Sequence, residues 1–523
     1  MKSILSSING PNHKWWALFV VQTGVLMSTL DAGIVSVSMP TIMSQFRASV
    51  TMIQWVVLAY LMVITITLLP FGRLADMYGR KQVYTLGFVV FTVGSALCGA
   101  SGSVEQLAIF RAFQALGASM LMANGMAITS AVFPARERGK ALGIGGTVVA
   151  TGTTIGPTIG GLITQWLGWR WIFYVNIPVG VVGVAMAILV LRNREITPAL
   201  SQRHTFDLPG AAVAGLGLLA LLLALSGLDQ LGLPDGLTPA LYAAAAAALV
   251  TFIIVERRVQ EPMIDLRLFQ SKLFALGSSA ALMAFLAVSA NAFLLPFYLQ
   301  LVLHYPPSQA GLLMTPTSLV IAIVAPISGW LSDRIGARLL SSVGLALVCA
   351  ALFSLSRLDI TSSYGDVLVR LALLGLGQGM FQSPNNSSVI GSVPRERYGI
   401  AGGFMSMMRN LGMVMGTALA SSILSGELMG SVGHARLGGL ADVAALENQA
   451  MVAGFIRGME RAYLVAAMIA ALGGLASLSR GGSFRGQPVT PVRREPAHAM
   501  SEQDALGNPE AHGSSDDVSP VRP

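Results

Sequence analysis

The sequence predicts an all-α integral membrane protein: fourteen transmembrane helices, arranged as two six-helix halves with two further helices inserted between them. Three observations carry this. Only 11% of the 523 residues are charged and 54% are hydrophobic, whereas soluble domains carry about 25% charged residues. Uncharged apolar runs of about 20 residues, enough to cross a hydrocarbon core, recur along the chain. Two stretches also return at nearly one offset: GRLADMYGRK at 72–81 as GWLSDRIGAR at 329–338, and FPARERGKA at 133–141 as VPRERYGIA at 393–401. The apolar runs are continuous rather than alternating, which selects helices over barrel strands.

The elements follow in order. The first span, 15–39, comes after a polar start and is long enough to stay as an anchor rather than be cleaved; Pro40 marks its outer end. Spans 51–71 and 82–101 flank the tight GRLADMYGRK turn. Spans 105–131 and 140–165 flank FPARERGKA, and 171–191 completes the first half. Spans 208–228 and 238–256 lie between the repeats. Because two helices are inserted, both copies of each repeated loop face the same side. The second half runs through 274–301, 310–331, 337–356, 366–391, 401–424 and 461–479. The segment 425–460 is the one long loop, and its 441–459 part has a helical period suited to the membrane surface. From Gly481 the chain is rich in Pro, Gly, Ser and charge and is expected to be disordered. The expected divisions are 1–205, 206–258, 259–480 and 481–523.

Charge sets the orientation. With the N-terminus in the cytoplasm, 24 of the 33 basic residues fall in inner segments and seven in outer ones; Arg111 and Arg409 lie within spans. Cytoplasmic loops carry such an excess, so both termini are expected inside, in a multi-pass protein of the cytoplasmic (inner) membrane. The net charge of +8 is then loop charge, and no nucleic-acid partner is expected. Cys98 and Cys349 offer no disulfide framework, and the six histidines show no metal-ligand spacing. No phosphate-binding lysine loop is present, so ATP is not the expected energy source. No nucleophile–base pair points to an enzyme, and no cofactor is expected.

Six sets of residues draw attention. Asp31 is the only acidic residue in the middle of a span, where an ionised carboxylate must pair, titrate or face water. Nine residues inside Pro40, it lies about 13 Å deep. Arg111, six residues inside Glu105, lies about 9 Å deep. The two can meet, and a carboxylate balanced between burial and an arginine can load and release a proton; a static ion pair is the alternative. In GTTIGPTIGG at 152–161, Gly152, Gly156 and Gly160 share a helix face that admits another backbone, Gly161 follows, and Pro157 bends the helix. In the turn after the second span, Gly72 and Gly79 allow a tight path. There Asp76 can cap a helix and Arg80 can meet a carboxylate or helix end, with Asp333 as the weaker second copy. Gln114, Gln378, Asn385 and Asn386 are candidates for lining a cavity, whereas Asn176 is expected to pack helices. Arg409 is expected to snorkel. Met405, Met407, Met408, Met413 and Met415 form an adaptable apolar surface.

These motifs resemble those of the major facilitator superfamily, in particular its fourteen-helix drug:proton antiporters, over nearly all of 15–480. LDAGIVSVSMP at 30–40 resembles the first-helix motif LDxTIVNVALP, departing at Gly33 and Ser36. GRLADMYGRK matches the loop motif in full. RAFQALG at 111–117 resembles RxxQGxG with Ala115 for glycine, and GTTIGPTIGG matches the fifth-helix motif gxxxGPxxGG. WRWIFYVNIP at 169–178 resembles the sixth-helix opening. The resemblance implies the major facilitator fold and a gate at the Asp76 turn. It also implies an exporter, because the fifth-helix motif marks export in that family. The expected function is a monomeric proton antiporter for multidrug efflux. It would move an amphipathic, cationic or neutral small molecule outward, with the proton as coupling ion at Asp31 under the control of Arg111. Antibiotic resistance would follow. A dedicated exporter of one metabolite is the alternative within transport, and a non-transporting receptor or scaffold the alternative outside it.

Overall fold

A computed structural model of the chain describes residues 12–134, 137–193, 208–225, 236–259, 266–394, 398–432 and 449–480. The expected disordered tail lies outside the described residues.

Fourteen helices account for nearly all of the described chain. They are α1 His13–Phe46, α2 Val50–Tyr78, α3 Arg80–Ala100, α4 Val104–Val132, α5 Arg138–Trp166 and α6 Asn176–Val190, the last preceded by the turn Trp171–Tyr174. Then come α7 Leu208–Leu225, α8 Leu237–Arg258, α9 Lys272–Phe297, α10 Pro307–Ile335, α11 Ala337–Leu355, α12 Tyr364–Gly391, α13 Tyr398–Val432 and α14 Gln449–Leu478. Among the described residues, eleven helices are long and apolar enough to cross a membrane by composition alone. The end of the bundle where α1 begins is the near end; the opposite end is the far end.

The packing repeats. In the first six helices, α1 packs on α5 and α6, α2 on α4, and α3 on α4 and α6. In the last six, α9 packs on α13 and α14, α10 on α12, and α11 on α12 and α14. The two sets meet mainly along α5–α10 and α2–α13. Helix α7 packs on α8 and covers the α2–α13 seam, while the window of α8 that would cross the membrane has no fully buried residue.

Local chemistry sets the helix ends. Ser49, Ser103 and Ser271 each accept a hydrogen bond from a backbone N–H of the first turn, and Ser363 with Asp366 forms a reciprocal capping box. The repeated motif makes a one-residue hinge in both halves. Gly79 joins α2 to α3 at φ +105°, and Gly336 joins α10 to α11 at φ +94°, backbone that a side chain strains. Both Gly79 and Asp76 were expected in a longer turn. Asp76 instead sits in the last turn of α2, because the helix runs on to Tyr78.

Two boundaries move for physical reasons. Helix α1 continues past Pro40 to Phe46. Of the segment expected as one long loop, 425–432 belong to α13, and residues 449–459 are not a separate surface helix but the opening of α14. Met451, Phe455 and Met459 recur every four residues and are buried in the bundle, and Gly458 lets α14 approach Leu424 of α13. The rest of the expected surface helix, 441–448, lies outside the described residues.

Candidate functional site

Asp31 stands on α1 where α1, α4 and α6 converge, and it is 1% exposed. Its carboxylate accepts a hydrogen bond from Nη1 of Arg111, a second from Nε2 of Gln114 at 3.0 Å and a third from Nδ2 of Asn176 at 3.1 Å. Arg111 also donates to Oε1 of Gln114 at 2.7 Å and to the carbonyl of Val56 at 3.3 Å. Its guanidinium lies 3.9 Å from the ring centroid of Tyr60. Nε2 of Gln114 also donates to Oγ of Ser95 at 2.8 Å. The result is a sealed, electrically balanced cluster drawing on α1, α2, α3, α4 and α6. Buried ion pairs of this kind are retained at a desolvation cost and are costly to break from one side.

Two expectations change here. Gln114 lines no open space: one turn after Arg111 on the same face of α4, it follows the arginine into the cluster and is fully buried. Asn176 is more than a packing amide, since it holds the carboxylate directly. The aromatic and hydroxyl partners, Tyr60 and Ser95, carried no sequence signal, because polar residues on apolar spans are common packing elements.

The fifth-helix motif has two jobs on two faces. Gly152, Gly156 and Gly160 press on α1, the helix of Asp31. A Cβ at Gly160 would lie 2.7 Å from Cα of Ile34, and one at Gly156 would lie 3.2 Å from Cα of Gly33. Gly161 and the carbonyl of Pro157 face α10 instead, while the Pro157 ring stays on the α1 side beside Gly33. A Cβ at Gly161 would strike the Pro307 carbonyl oxygen, and one at Gly311 would strike the Pro157 carbonyl oxygen. Proline lacks the N–H that would bond to the carbonyl four residues earlier, which is that of Thr153. That carbonyl accepts from Oγ of Ser318 on α10 at 3.3 Å. The helix breaker thus frees an acceptor that the other half uses.

This seam runs from mid-bundle to the far end. Thr158 pairs with Thr315, and the backbone N–H of Ser308 donates to Oε1 of Gln165 at 3.3 Å. Two more contacts seal the far end. Nε2 of Gln300 donates to the Val37 carbonyl at 2.7 Å, and the hydroxyls of Thr51 and Ser425 lie 3.2 Å apart. Gln300 sits in a π-helical turn, Tyr298–Val302, that follows α9. No sequence pattern announced that turn.

The second half repeats the clamp without the charge. Gly412 and Gly416 on α13 press on α9, meeting Leu282, Leu286 and Ser289, as Gly152 and Gly156 press on α1. In that register Ala287 occupies the place of Asp31. Gly377 on α12 meets α11 as Gly117 on α4 meets α3, which puts Leu371 where Arg111 stands. Both substitutes are fully buried in an apolar core. The spacing GMVMG in α13 was the available signal for this second clamp.

At the near end, Asp76 Oδ1 accepts from Nε of Arg80 at 3.0 Å and from Nη2 at 2.9 Å, across the Gly79 hinge. Gly72 stands a turn earlier with loose surroundings; a Cβ there would be 3.9 Å from Ala123. Asp333 is exposed, with no partner among the described residues, because Ala337 stands where its copy of Arg80 would be. On α12, Asn385 is buried and donates to the Gly277 carbonyl of α9 at 3.3 Å, so it ties helices together rather than lining an open space. Gln378 and Asn386 are half-buried on the same helix.

Comparison with known proteins agrees with this architecture. Residues 23–417 match the Major Facilitator Superfamily. The chain is 39% identical over 420 residues to the riboflavin transporter RibZ of Clostridioides difficile, covering 80% of this chain and 89% of that one. It is 36% identical to the multidrug resistance protein Stp of Mycobacterium tuberculosis, covering 79% and 76%. It is 31% identical to the tetracenomycin C resistance and export protein of Streptomyces glaucescens, covering 79% and 76%. Its fold resembles the crystal structure of a bacterial homolog of the human lysosomal transporter Spinster in an inward-facing, occupied conformation. That likeness has a TM-score of 0.65 at 16% identity and covers 90% and 97% of the two chains. The helical bundle, its repeated packing and these matches lead to one conclusion: the chain belongs to the Major Facilitator Superfamily and is a multi-pass membrane transporter.

Proposed function

We propose that this transporter is a monomeric proton antiporter that exports amphipathic small molecules across the cytoplasmic membrane. Both termini, and hence the near end, face the cytoplasm. One observation carries the reading: Asp31 is buried at mid-span and held by Arg111, Gln114 and Asn176. A proton on Asp31 cancels its attraction for Arg111, so α1 and α4 can part. Helix α1 is gripped by the glycines of α5, and α5 abuts α10 of the other half. Loosening at Asp31 therefore has a short mechanical path to the seam that closes the far end. The Asp76–Arg80 turn and its second copy at Asp333 are the proposed near-end gate. The halves are proposed to divide at 1–205 and 259–480, with 206–258 inserted. The fifth-helix motif supports export, as does the printed name of one relative, the tetracenomycin C resistance and export protein.

The test uses protein in liposomes loaded with a pH-sensitive dye. Under an imposed proton gradient, a panel of amphipathic compounds is added to wild type and to Asp31→Asn, with thermal stability recorded for both. Substrate-dependent proton flux in wild type and its loss in a folded Asp31→Asn is expected. Flux that survives the substitution would move coupling elsewhere and make the cluster structural.

A second reading has its own support. RibZ, a relative named for a single metabolite, is 39% identical to this chain. Including riboflavin in the panel separates the two: flux with riboflavin alone favours a dedicated carrier.

A further inference from the structure

Arg409 is a charge in the membrane that the proton site does not use. Helix α13 begins at Tyr398, so Arg409 is eleven residues in, roughly 16 Å along the axis. Its level can be read against the other half. Gly402 of α13 looks at α4, where a Cβ would lie 3.9 Å from Cε of Met126. Seven residues further along α13 comes Arg409. Seven residues back along the antiparallel α4 comes Ser119, beside the midpoint of Val104–Val132. Arg409 is therefore near mid-depth, too far from the near end to reach the interface by stretching its stem, and the snorkelling expectation fails.

Its direction follows from the same contact. Residues seven apart lie on nearly one helix face, so Arg409 shares the face that Gly402 turns toward the first half. Across from Gly402, Met126 is 54% exposed. Arg409 is half-buried, with no ion pair, hydrogen bond or ring contact among the described residues. The carboxylate at Asp31 is already held by three donors of the first half. An ionisable group in a membrane span marks a ligand path by default, and arginine stays charged.

We propose that Arg409 is the charge-selecting contact on the substrate path, and that the substrate is an amphipathic molecule bearing one anionic oxygen group, a carboxylate or a phenolate. This deepens the proposed function and rests on its reading of an amphipathic substrate. It departs from the cationic or neutral cargo expected from sequence. Met413, one turn beyond Arg409, and Met126, across from Gly402 two turns toward the near end, supply polarisable apolar surface for the remainder of the molecule.

The test measures binding of two probes with a shared xanthene frame, anionic fluorescein and cationic rhodamine 123, by fluorescence anisotropy. The full-length protein is held in nanodiscs. Wild type is expected to prefer fluorescein at least tenfold. Arg409→Gln is expected to lose that preference about tenfold or more, and Arg409→Lys to keep part of it. Because the charge is unpaired, Arg409→Gln should fold with unchanged or higher thermal stability. An unchanged ratio in Arg409→Gln overturns the proposal, as does a wild type that prefers rhodamine or binds neither probe. The proton-flux assay fails separately: charge-selective binding without antiport sinks the antiport reading and leaves this site, and antiport with charge-blind binding does the reverse.

Discussion

Replacing Gly161 and Gly311 by alanine should open the far end of the transporter. Each new Cβ would strike a backbone carbonyl oxygen of the opposite helix, Pro307 for Gly161 and Pro157 for Gly311. Backbone cannot rotate away as a side chain can, so α5 and α10 must separate. Inserting a methyl into a packed contact costs about 1–3 kcal/mol. The cost falls only on conformations in which the seam is closed, so each substitution shifts the closed–open balance by about five- to 150-fold. Gly160→Ala is the control. Its Cβ would press on Ile34 of α1 within one half, so it should lower stability in every conformation without shifting the balance. Spin labels at Trp166→Cys and Ile360→Cys, both exposed at the far end, report the separation by electron–electron resonance, with Cys98 and Cys349 replaced by serine. The double alanine variant should populate a longer distance that Gly160→Ala does not. Equal distributions in the two variants, with thermal stability lowered in both, would refute the idea that this seam distinguishes conformations.

Other outcomes follow from the same geometry. Ser318→Ala removes the donor to the carbonyl that Pro157 leaves free, and should weaken the closed seam by about 1 kcal/mol, read as a smaller shift in the same label distances. Gly79→Ala and Gly336→Ala both force a side chain into positive φ, and each should cost about 1–3 kcal/mol, visible as a lower melting temperature. Asp76→Asn breaks an ion pair across the hinge while Asp333→Asn breaks none among the described residues, so transport should fall further in the first than in the second; equal losses would mean the carboxylates act through other partners. Asn176→Leu strips one donor from Asp31 and leaves the carboxylate under-satisfied, which should destabilise the protein by about 1–3 kcal/mol. Asn176→Leu combined with Asp31→Leu should cost less than the sum of the two single changes, and strict additivity would argue against their contact.

Much of this protein is written in its sequence, for a physical reason. A bilayer leaves the backbone one solution per span, so apolar length alone yields helices, and the recurrence of GRLADMYGRK as GWLSDRIGAR shows that the pattern was laid down twice. Asp31 and Arg111 were legible because a charge in hydrocarbon must find its opposite. The glycines of GTTIGPTIGG were legible as close-approach surface, since nothing else about glycine favours a helix. Their neighbours were not. Periodicity says which residues share a face but not which helix that face meets. Only the tertiary packing decided that Gly160 grips α1 while Gly161 abuts α10. It alone brought Gln114 and Asn176 onto one carboxylate, turned Gln300 toward α1 through a π turn, and left Arg409 without a partner among the described residues. Each of these depends on contacts between residues far apart in the chain, and it is the crossing of the helices, not their formation, that sets them.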